Sequence, residues 1–302
     1  MPATRVAAIV VLYHPDVARL TQVLNALAAQ VAEIVCVDNG TPAHDLEALR
    51  RRFPTARWLA MGTNAGVGAA QNRGIAATRE LGCSHALLCD QDSIADPGMV
   101  DALLAAEQTL SEPNRPIAAV GPRYRLDDHG RLSAFVVAGW AGFKRRDCRE
   151  GQTAIEVDFL IASGCLIRLA ALNEIGEMDA SLFIDHVDTE WCLRARSRGY
   201  RIGGACLATM SHQLGEETVD LRWPRPRSVA IHKPFRYYYI FRNSLRMYRM
   251  PHVPLRWIVP DCVRLLQLYL FIGLVSPQRF ECIRMMHKGL LDGLRDVRGA
   301  LR

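Results

Sequence analysis

Residues 86–93 read ALLCDQDS, and this short segment is the strongest indication of the fold. An apolar run of this kind is typical of a buried strand, and the carboxylates of Asp90 and Asp92 follow at its carboxyl end. Two carboxylates one residue apart suit a hard divalent cation such as Mg²⁺ or Mn²⁺, which would offset the charge of a bound diphosphate. A helix N-cap or a solvated turn is the alternative interpretation of so short a motif. The buried strand before it favours the ligand site.

The residues around this segment alternate between strand-like and helix-like patterns. We predict strands at 6–12, 34–37, 56–61 and 86–89, and helices at 17–29, 46–52, 67–81 and 99–108. Strands that alternate with helices over short loops form βαβ units, and these build a parallel sheet with right-handed crossovers. Ligands bind such sheets at the carboxyl ends of the strands, which is where Asp38, Asp90 and Asp92 are expected.

Beyond residue 115 the pattern changes to short apolar runs with many glycines. We predict further strands at 118–120, 135–137 and 159–167, some of them antiparallel, and helices at 170–175, 190–198, 236–248 and 254–302, with a loop at 224–234. The expected fold class is therefore α/β. A mainly parallel central sheet is flanked by helices, and a helical extension follows at the C-terminus.

The net charge of +6 over 302 residues hides an asymmetry. Residues 219–302 contain 16 Lys and Arg against 5 Asp and Glu, a balance of +11, and residues 1–218 contain 21 against 26, a balance of −5. A basic C-terminal region suggests an acidic partner, such as nucleic acid, an anionic membrane face or a phosphorylated substrate. Nucleic acid is disfavoured because the sequence has no known motif for binding it.

The nine cysteines form no C-x-x-C pair, and most lie in apolar runs. This predicts reduced core thiols in a cytosolic protein rather than a zinc site. The first apolar run has eight residues and suits a buried strand better than an export signal. The longest apolar stretch, at 263–275, has 13 residues and contains Arg264 and Gln267, so we expect it to be too short and too polar to span a bilayer.

A second acidic cluster opens the helix predicted at 190–198. Residues 184–191 read IDHVDTEW, which places Asp185, Asp188 and Glu190 within six residues. Acidic side chains at a helix N-terminus are favoured by the helix dipole, so capping is one interpretation. Capping needs one or two acids, and a further carboxylate in a pocket suits a general base for a hydroxyl group. A lone His212 is usually structural, but this one could complete a metal site with Asp92.

The glycines at 66 and 68 resemble the start of a dinucleotide-binding motif. The third glycine of that motif would fall at position 71, which is Gln71. Close packing of the helix on the strand needs a glycine there, so a nicotinamide cofactor is disfavoured. A glycine turn that leads into a helix beside a nucleotide remains compatible with the sequence.

Taken together, these motifs resemble glycosyltransferase family 2, which has the GT-A fold, and most of all its bacterial L-rhamnosyltransferase branch. The matching segments are VVLYHP (10–15), VDNG (37–40), NAG (64–66), NRG (72–74), LCDQDS (88–93), SGCL (163–166), FIDHVDTEW (183–191), YYI (238–240), RN (242–243) and DGLR (292–295). They follow the family order over nearly the whole chain. One departure is that the stretch at 64–74 has no lysine, so phosphate contacts would come from backbone groups or Arg73.

The resemblance implies a role for individual residues. Asp38 matches the acid that contacts the nucleobase, Asp188 matches the catalytic base, and Asp92 with His212 matches the ligands of a Mg²⁺ or Mn²⁺ ion. The expected nucleotide-sugar contacts are Tyr13, Asp38, Asn64, Gly66, Asn72, Arg73, Asp90 and Asp92, and further pocket candidates are Asp185, Glu190, Trp191 and Arg242.

The expected activity is inverting transfer of L-rhamnose from dTDP-L-rhamnose to a cell-envelope polysaccharide. A glycolipid acceptor such as a mono-rhamnolipid, or a donor that is another nucleotide sugar, is the alternative. A binding protein with idle catalytic residues is the rival class.

The expected domains are 1–220, with a nucleotide-sugar half to about 115 and an acceptor half from 116, and a basic helical region at 221–302. Aromatic, apolar and basic residues interleave from 254 onward, which suits either an anionic membrane face or a core-packing helix. We expect a cytoplasmic protein, peripheral at the inner face of the membrane.

Overall fold

The computed structural model of the protein describes residues 4–126, 131–140, 142–211, 217–221 and 227–301. The strands are β1 (Val6–Leu12), β2 (Glu33–Asp38), β3 (Arg57–Ala60), β4 (His85–Asp90), β5 (Ile94–Ala95), β6 (Ile117–Arg125), β7 (Phe135–Gly139), β8 (Gly142–Arg146), β9 (Ala154–Val157), β10 (Cys165–Arg168), β11 (Arg201–Ser211), β12 (Glu217–Leu221) and β13 (Arg227–Ile231). The α-helices are α1 (Val17–Ala28), α2 (Ala43–Arg52), α3 (Val67–Glu80), α4 (Met99–Leu110), α5 (Leu169–Ile175), α6 (Val187–Ser197), α7 (Pro234–Met247), α8 (Leu255–Val275) and α9 (Arg279–Leu294).

One large sheet has the strand order β3-β2-β1-β4-β10-β6-β11-β5, and β9 also pairs with β11. The half built from β3, β2, β1 and β4 is parallel, as the alternation of strands and helices predicts. In the other half β10 runs antiparallel to β4 and β6, while β11 runs parallel to β6. The result is a mixed α/β sheet whose parallel half ends in the acidic residues.

Helices cover both faces of this sheet because successive strand residues point to opposite sides. Ile9 of β1 packs into a cluster with α3, α5 and α6, while its neighbour Val10 packs into a second cluster with α1, α2 and α4. The strands are therefore apolar on both faces, which is typical of a sheet buried between two helical layers.

Helices α7, α8 and α9 form the C-terminal helical region, with its own apolar cluster that includes Tyr237, Leu265 and Met286. Helix α9 lies very close to α7, since a Cβ atom added at Gly289 would come within 2.4 Å of the Tyr238 carbonyl oxygen. The predicted helix over 254–302 is thus two helices, separated by a turn after Val275. The division of the chain into domains at residue 220 stays a prediction.

Two predicted segments differ from the structure, and one long strand was not predicted. Residues 159–164 form a loop rather than the first part of a strand, because they turn at Gly164, whose φ is +76°. The predicted loop at 224–234 contains strand β13, which pairs with β12. The analysis of the sequence also missed β11, an eleven-residue strand between β6 and β5 near one end of the sheet, since its glycines and threonine obscure the apolar pattern.

The expectation that all nine cysteines are free thiols is wrong for one pair. Cys148 and Cys206 form a disulfide across 58 residues, and the other seven cysteines are free. The loop after β8 folds back onto β11, where the amide of Cys206 donates to the Thr153 carbonyl at 2.8 Å. Spacing in the sequence does not reveal this contact.

The expectation about the longest apolar stretch also needs correction. Helix α8 begins eight residues before that stretch and has 21 residues, so by length and composition alone it could cross a membrane. Among the described residues it is the single helix that meets this test. A core helix of a soluble protein can meet the same test, so the arrangement of its side chains matters more than its length.

Candidate active site

The carboxyl ends of the central strands bring two of the predicted acidic positions to one edge of the sheet. In the register of the parallel strands, Leu12 of β1 pairs with Asp38 of β2, and the preceding Val11 pairs with Asp90 of β4. Asp38 and Asp90 therefore flank the end of β1 on either side. Asp92 follows two residues after Asp90, in the turn that leads to β5. This edge is where an open α/β sheet binds its ligand.

The Asp38 end of the site is held by hydrogen bonds in the turn after β2. Asp38 is 5% exposed, and its Oδ1 accepts a hydrogen bond from the Thr41 amide at 2.8 Å. Arg50 of α2 lies 4.0 Å from the other carboxylate oxygen. A buried acid held in this way is oriented to accept further donors, such as the N–H of a nucleobase.

Asn39 and Asn64 join this turn to the glycine turn before α3. The Asn39 amide donates to Asn64 Oδ1 at 3.0 Å, and Asn39 Oδ1 accepts from the Ala65 amide at 2.9 Å. Asn64 Oδ1 also accepts from the Gly66 amide. These hydrogen bonds to its side-chain oxygen show that Asn64 stabilises the turn. Its contact with the nucleotide-sugar donor stays a prediction.

Gly66 is required by a close approach to the loop that follows α5. Its φ is +89°, and a Cβ atom there would lie 2.6 Å from the carbonyl oxygen of Phe183. That oxygen accepts from the Val67 amide at 2.7 Å. Both the positive φ and the lack of space exclude a side chain, so the glycine fastens the start of α3 to the segment that leads to Asp188.

Asn72 is bonded within the protein, whereas Arg73 is exposed. Both polar atoms of the Asn72 amide bond the backbone of Met178, each at 2.9 Å, so this side chain fixes α3 to the segment after α5. Arg73 is exposed on α3. Direct contacts from either residue to the donor stay predictions.

Gln91, which the sequence reading did not single out, holds Tyr13 at the mouth of the site. Its Oε1 accepts from the Tyr13 amide at 2.8 Å, and its Nε2 donates to the Tyr13 carbonyl at 3.1 Å. The Tyr13 side chain is 47% exposed and meets His14 edge to face at 4.5 Å. The residue between the two acids thus ties the end of β4 to the end of β1 and leaves the Tyr13 ring open to a ligand.

Asp90 lies at this edge beside the carboxylates of Asp92 and Asp188. Burial, together with the nearby charges of Asp92 and Asp188, raises the pKa of Asp90 to about 7. The hydroxyl of Ser163 and the guanidinium of Arg236 act in the opposite direction and favour the charged form. A concentration of negative charge with partial compensation is typical of a site that receives a cation.

The loop at 159–164, which was predicted as part of a strand, holds the side chain of Asp188. Its Oδ2 accepts from the Ala162 amide at 3.0 Å, and its Oδ1 accepts from the Thr189 amide at 2.7 Å. Two residues further, the Gly164 amide donates to the Leu88 carbonyl at 2.7 Å. This loop therefore connects Asp188 to β4, the strand that ends in Asp90. Burial raises the pKa of Asp188, and these two amide hydrogen bonds partly oppose that rise.

The backbone before Asp188 adopts conformations that need support. Phe183, Asp185 and His186 all have positive φ, which side chains adopt at a cost of about 1–3 kcal/mol each. Asn243 of α7 provides the support, since its amide donates to the carbonyls of Leu182, Ile184 and Asp185 at 2.8–3.0 Å. The match of residues 242–243 to the family motif thus has a structural explanation.

Asp185 forms an ion pair with Arg236. Its carboxylate accepts from both Nε and Nη2 of Arg236 at the start of α7, with 3.3 Å between Nε and Oδ2. Arg236 also lies near enough to Asp90 to lower the pKa of that carboxyl. The sequence reading missed Arg236, although its position six residues before the family motif Arg242-Asn243 was a signal.

Glu190, Trp191 and Arg242 are buried and hydrogen-bonded within the protein. Glu190 is 2% exposed and accepts from Arg194 at 2.8 and 2.9 Å, and the Trp191 indole donates to the Gly176 carbonyl. Arg242 is fully buried and donates to the carbonyls of Leu182 and Gly299, at 2.8 and 2.6 Å. Each therefore has a structural role, because α6 and α7 turn these side chains towards the protein interior, and a role in the pocket stays a prediction.

Of the two predicted metal ligands, the structure describes Asp92. His212 lies outside the described residues, and no group of three His, Cys, Asp or Glu side chains that could hold an ion is found among those that are described. Nevertheless Ser211, the residue before it, pairs with Ile94, two residues after Asp92. The donor set also fits, because Asp90 and Asp92 provide hard oxygen ligands. The identity and presence of a metal stay predictions.

Comparisons with known proteins agree with this architecture. A model of the family described as "Glycosyltransferase like family 2" matches residues 2–226, which is most of the chain. The chain therefore belongs to glycosyltransferase family 2 and is a glycosyltransferase. It is 28% identical to the dTDP-rhamnosyl transferase RfbF of Shigella flexneri over 99% of this chain and 98% of that protein. It is 25% identical to an N-acetylglucosaminyl-diphospho-decaprenol L-rhamnosyltransferase of Mycobacterium tuberculosis over 80% of this chain and 84% of that protein.

Solved structures show the fold. The chain resembles S. aureus TarS in complex with UDP-GlcNAc, with a TM-score of 0.59 and 15% identity, over 97% of this chain and 82% of that chain. It also resembles GalNAc-T7 with UDP, GalNAc and Mn²⁺, with a TM-score of 0.58 and 12% identity, over 91% of this chain and 58% of that chain. The GT-A fold expected from the sequence is confirmed.

Proposed function

We propose that this chain is an inverting, metal-dependent rhamnosyltransferase that uses dTDP-L-rhamnose and extends a lipid-linked cell-envelope glycan. The observation that carries the proposal is the placement of Asp188. Its carboxylate is fixed by two backbone amides and lies close enough to the edge carboxylates to raise the pKa of Asp90. A fixed, ionisable base beside the ligand edge of a GT-A sheet is what hydroxyl activation requires.

The reaction is a single displacement at the anomeric carbon. Asp188 accepts the proton of the acceptor hydroxyl while that oxygen forms a bond to the anomeric carbon. The bond from this carbon to the β-phosphate oxygen breaks, and the nucleotide diphosphate leaves. Asp92, with His212 as predicted partner, would hold a Mg²⁺ or Mn²⁺ ion, whose charge stabilises the departing diphosphate. Arg236 supplies a further positive charge near Asp90.

The environment of the other candidate nucleophiles supports direct displacement and inversion. Burial raises the pKa of the Cys89 and Cys192 thiols to about 12, so neither is a thiolate near neutral pH. Asp185 is neutralised by Arg236. Asp188 is therefore favoured as a base, and no covalent intermediate is invoked.

The relatives support the choice of donor and acceptor. RfbF is named for dTDP-rhamnose, and the mycobacterial relative is named for an acceptor in which the sugar is carried on decaprenyl diphosphate. We propose the same chemistry here: an L-rhamnosyl donor, a glycan acceptor on a polyprenyl-type lipid, and work at the cytoplasmic face of the membrane.

A donor screen tests the proposal. The full-length protein is incubated with Mg²⁺, a lipid-linked acceptor and one of dTDP-L-rhamnose, UDP-glucose or UDP-galactofuranose, and the released nucleotide diphosphate is measured. We expect release from dTDP-L-rhamnose alone and an inverted anomeric configuration of the product by NMR. Faster release from another donor would assign a different sugar, and retention of configuration would remove Asp188 as the base of a single displacement.

A further inference from the structure

The outer face of α8 is a continuous apolar stripe. Its exposed large residues follow the spacing of one helix face, and they are Leu255 (66%), Val259 (47%), Val263 (50%), Leu266 (60%), Leu270 (54%) and Leu274 (79%). From first to last they span about 28 Å at 1.5 Å per residue. The remaining exposed positions of α8 are Cys262 and Gln267, and its two arginines, Arg256 and Arg264, are partly exposed and pair with Asp158 and Asp261. A soluble monomer rarely exposes so long an apolar surface without a partner.

The inner face of α8 is fixed to the rest of the protein by polar and aromatic contacts. The buried carboxylate of Asp261 accepts from Ser244 at 2.8 Å and from Tyr248 at 2.7 Å, both at the end of α7. Trp257 meets Phe143 and Phe159 edge to face, at 4.8 and 5.1 Å between ring centroids. Crossing a bilayer would break these contacts and place Asp261 in hydrocarbon, so α8 is built to lie against the domain with one face outward.

The stripe continues onto α9, where basic side chains join it. Tyr269 on the flank of α8 stacks on His287 of α9, with 5.6 Å between the rings. On the same face of α9 as His287 lie Phe280, which is 78% exposed, and the exposed Arg284. Leu291 and Leu294 extend this face, while Arg279, Lys288 and Arg295 lie beside it. We call the exposed apolar residues of α8 and α9 the docking face.

We propose that the docking face lies on an anionic lipid bilayer, with α8 parallel to the membrane plane and its leucines in the boundary between headgroups and acyl chains. This inference rests on the proposed function, because it names the surface through which the enzyme reaches a lipid-carried acceptor. The charge pattern selects the occupant. Arginines beside an apolar face attract anionic headgroups, whereas in a symmetric pair of copies the same arginines would face each other.

The docking face is also connected to the active site through rigid contacts. Helix α7 starts at the Arg236–Asp185 ion pair and ends at the Ser244 and Tyr248 hydroxyls that hold Asp261 of α8. A bilayer bound to α8 therefore has a fixed relation to Asp188, which follows Asp185 by three residues. An acceptor whose lipid stays in the bilayer can present its sugar to the site without leaving the membrane.

Vesicle flotation of the full-length protein tests this surface. The main variant carries Leu266→Glu, Leu270→Glu and Leu274→Glu, and the matched control is Leu207→Glu on β11, an equally exposed leucine outside the docking face. Wild type and control should float with phosphatidylglycerol vesicles and much less with phosphatidylcholine vesicles. Each leucine that leaves the acyl boundary is worth about a tenfold factor, so the triple variant should lose binding by about a thousandfold.

Turnover assays, the oligomeric state and carbonate extraction distinguish this proposal from its alternatives. Donor turnover with a water-soluble acceptor analogue should be equal in wild type, control and triple variant, while turnover of the lipid-linked acceptor in vesicles should fall only in the triple variant. Equal vesicle binding by all three proteins would overturn the proposal, and so would a wild-type dimer that the triple variant converts to a monomer. Resistance of the bound protein to carbonate extraction would also overturn it, in favour of a spanning helix. Failure of the soluble assay in wild type would count against the proposed activity alone.

Discussion

Replacement of Asp188 by asparagine is the most direct test of the chemistry. Asn has nearly the same size and keeps one carbonyl oxygen, so it can still accept from the Thr189 amide. It has no basic oxygen for the proton of the acceptor hydroxyl. We expect turnover to fall by roughly 10²–10⁴-fold, which is about 3–5 kcal/mol of transition-state stabilisation.

The same geometry predicts a small effect on stability. One of the two amide hydrogen bonds to Asp188 is lost, at a cost of about 1.5–3 kcal/mol for a bond to a charged group. The raised pKa of Asp188 shows that burial disfavours its charged form, and a neutral Asn removes that penalty. The two effects oppose each other, so Asp188→Asn should stay folded and bind the donor as wild type does.

The assay has a binding part and a kinetic part. Donor binding is measured by calorimetry with dTDP-L-rhamnose and Mg²⁺, and single-turnover transfer is measured by quenched flow. The matched variant Asp185→Asn alters the acid that is paired with Arg236, so it should disturb binding or folding more than proton transfer. In wild type the rate should fall as the pH drops through the pKa of Asp188, at a higher pH than for an ordinary aspartate, because the base acts when ionised. Near-normal transfer by Asp188→Asn would refute the assignment of the base.

Three further outcomes are expected. Gly66→Ala should weaken donor binding at least about tenfold by calorimetry and lower the melting temperature. The reason is that the new Cβ would lie 2.6 Å from the Phe183 carbonyl oxygen at a φ of +89°. Unchanged affinity would show that the turn can move freely. Glu190→Gln should lower the free energy of unfolding by about 3 kcal/mol in urea titrations near neutral pH, because Arg194 loses its buried partner. The pKa of Glu190 is lowered in the folded protein, so this stabilisation is present above the unfolded pKa and fades as the pH falls through the folded pKa, and a constant difference down to acid pH would contradict it. Excess EDTA should abolish transfer, and Mg²⁺ or Mn²⁺ should restore it; full activity of protein shown to be metal-free would remove the metal role of Asp92.

The order of strands and helices in the parallel half of the sheet was readable from the sequence because each strand there is a short apolar run. A run of this length favours a buried strand, and the acids at its end are then expected at the ligand edge. The positions of Asp38, Asp90 and Asp92 followed from this alone. The resemblance to the family added a role for Asp188, which spacing cannot give.

Tertiary structure decided the rest, because it depends on contacts between distant residues. Glu190, Trp191 and Arg242 belong to segments that resemble functional motifs, yet α6 and α7 bury them with partners that no local pattern reveals. The Cys148–Cys206 disulfide and the place of β11 between β6 and β5 arise in the same way. The apolar stripe of α8 is a matter of which face the protein covers: the sequence determines that the helix is amphipathic, and only packing against α7 and α9 determines which residues remain outside. That difference is physical, since local propensity acts over a few residues, while burial is set by the whole fold.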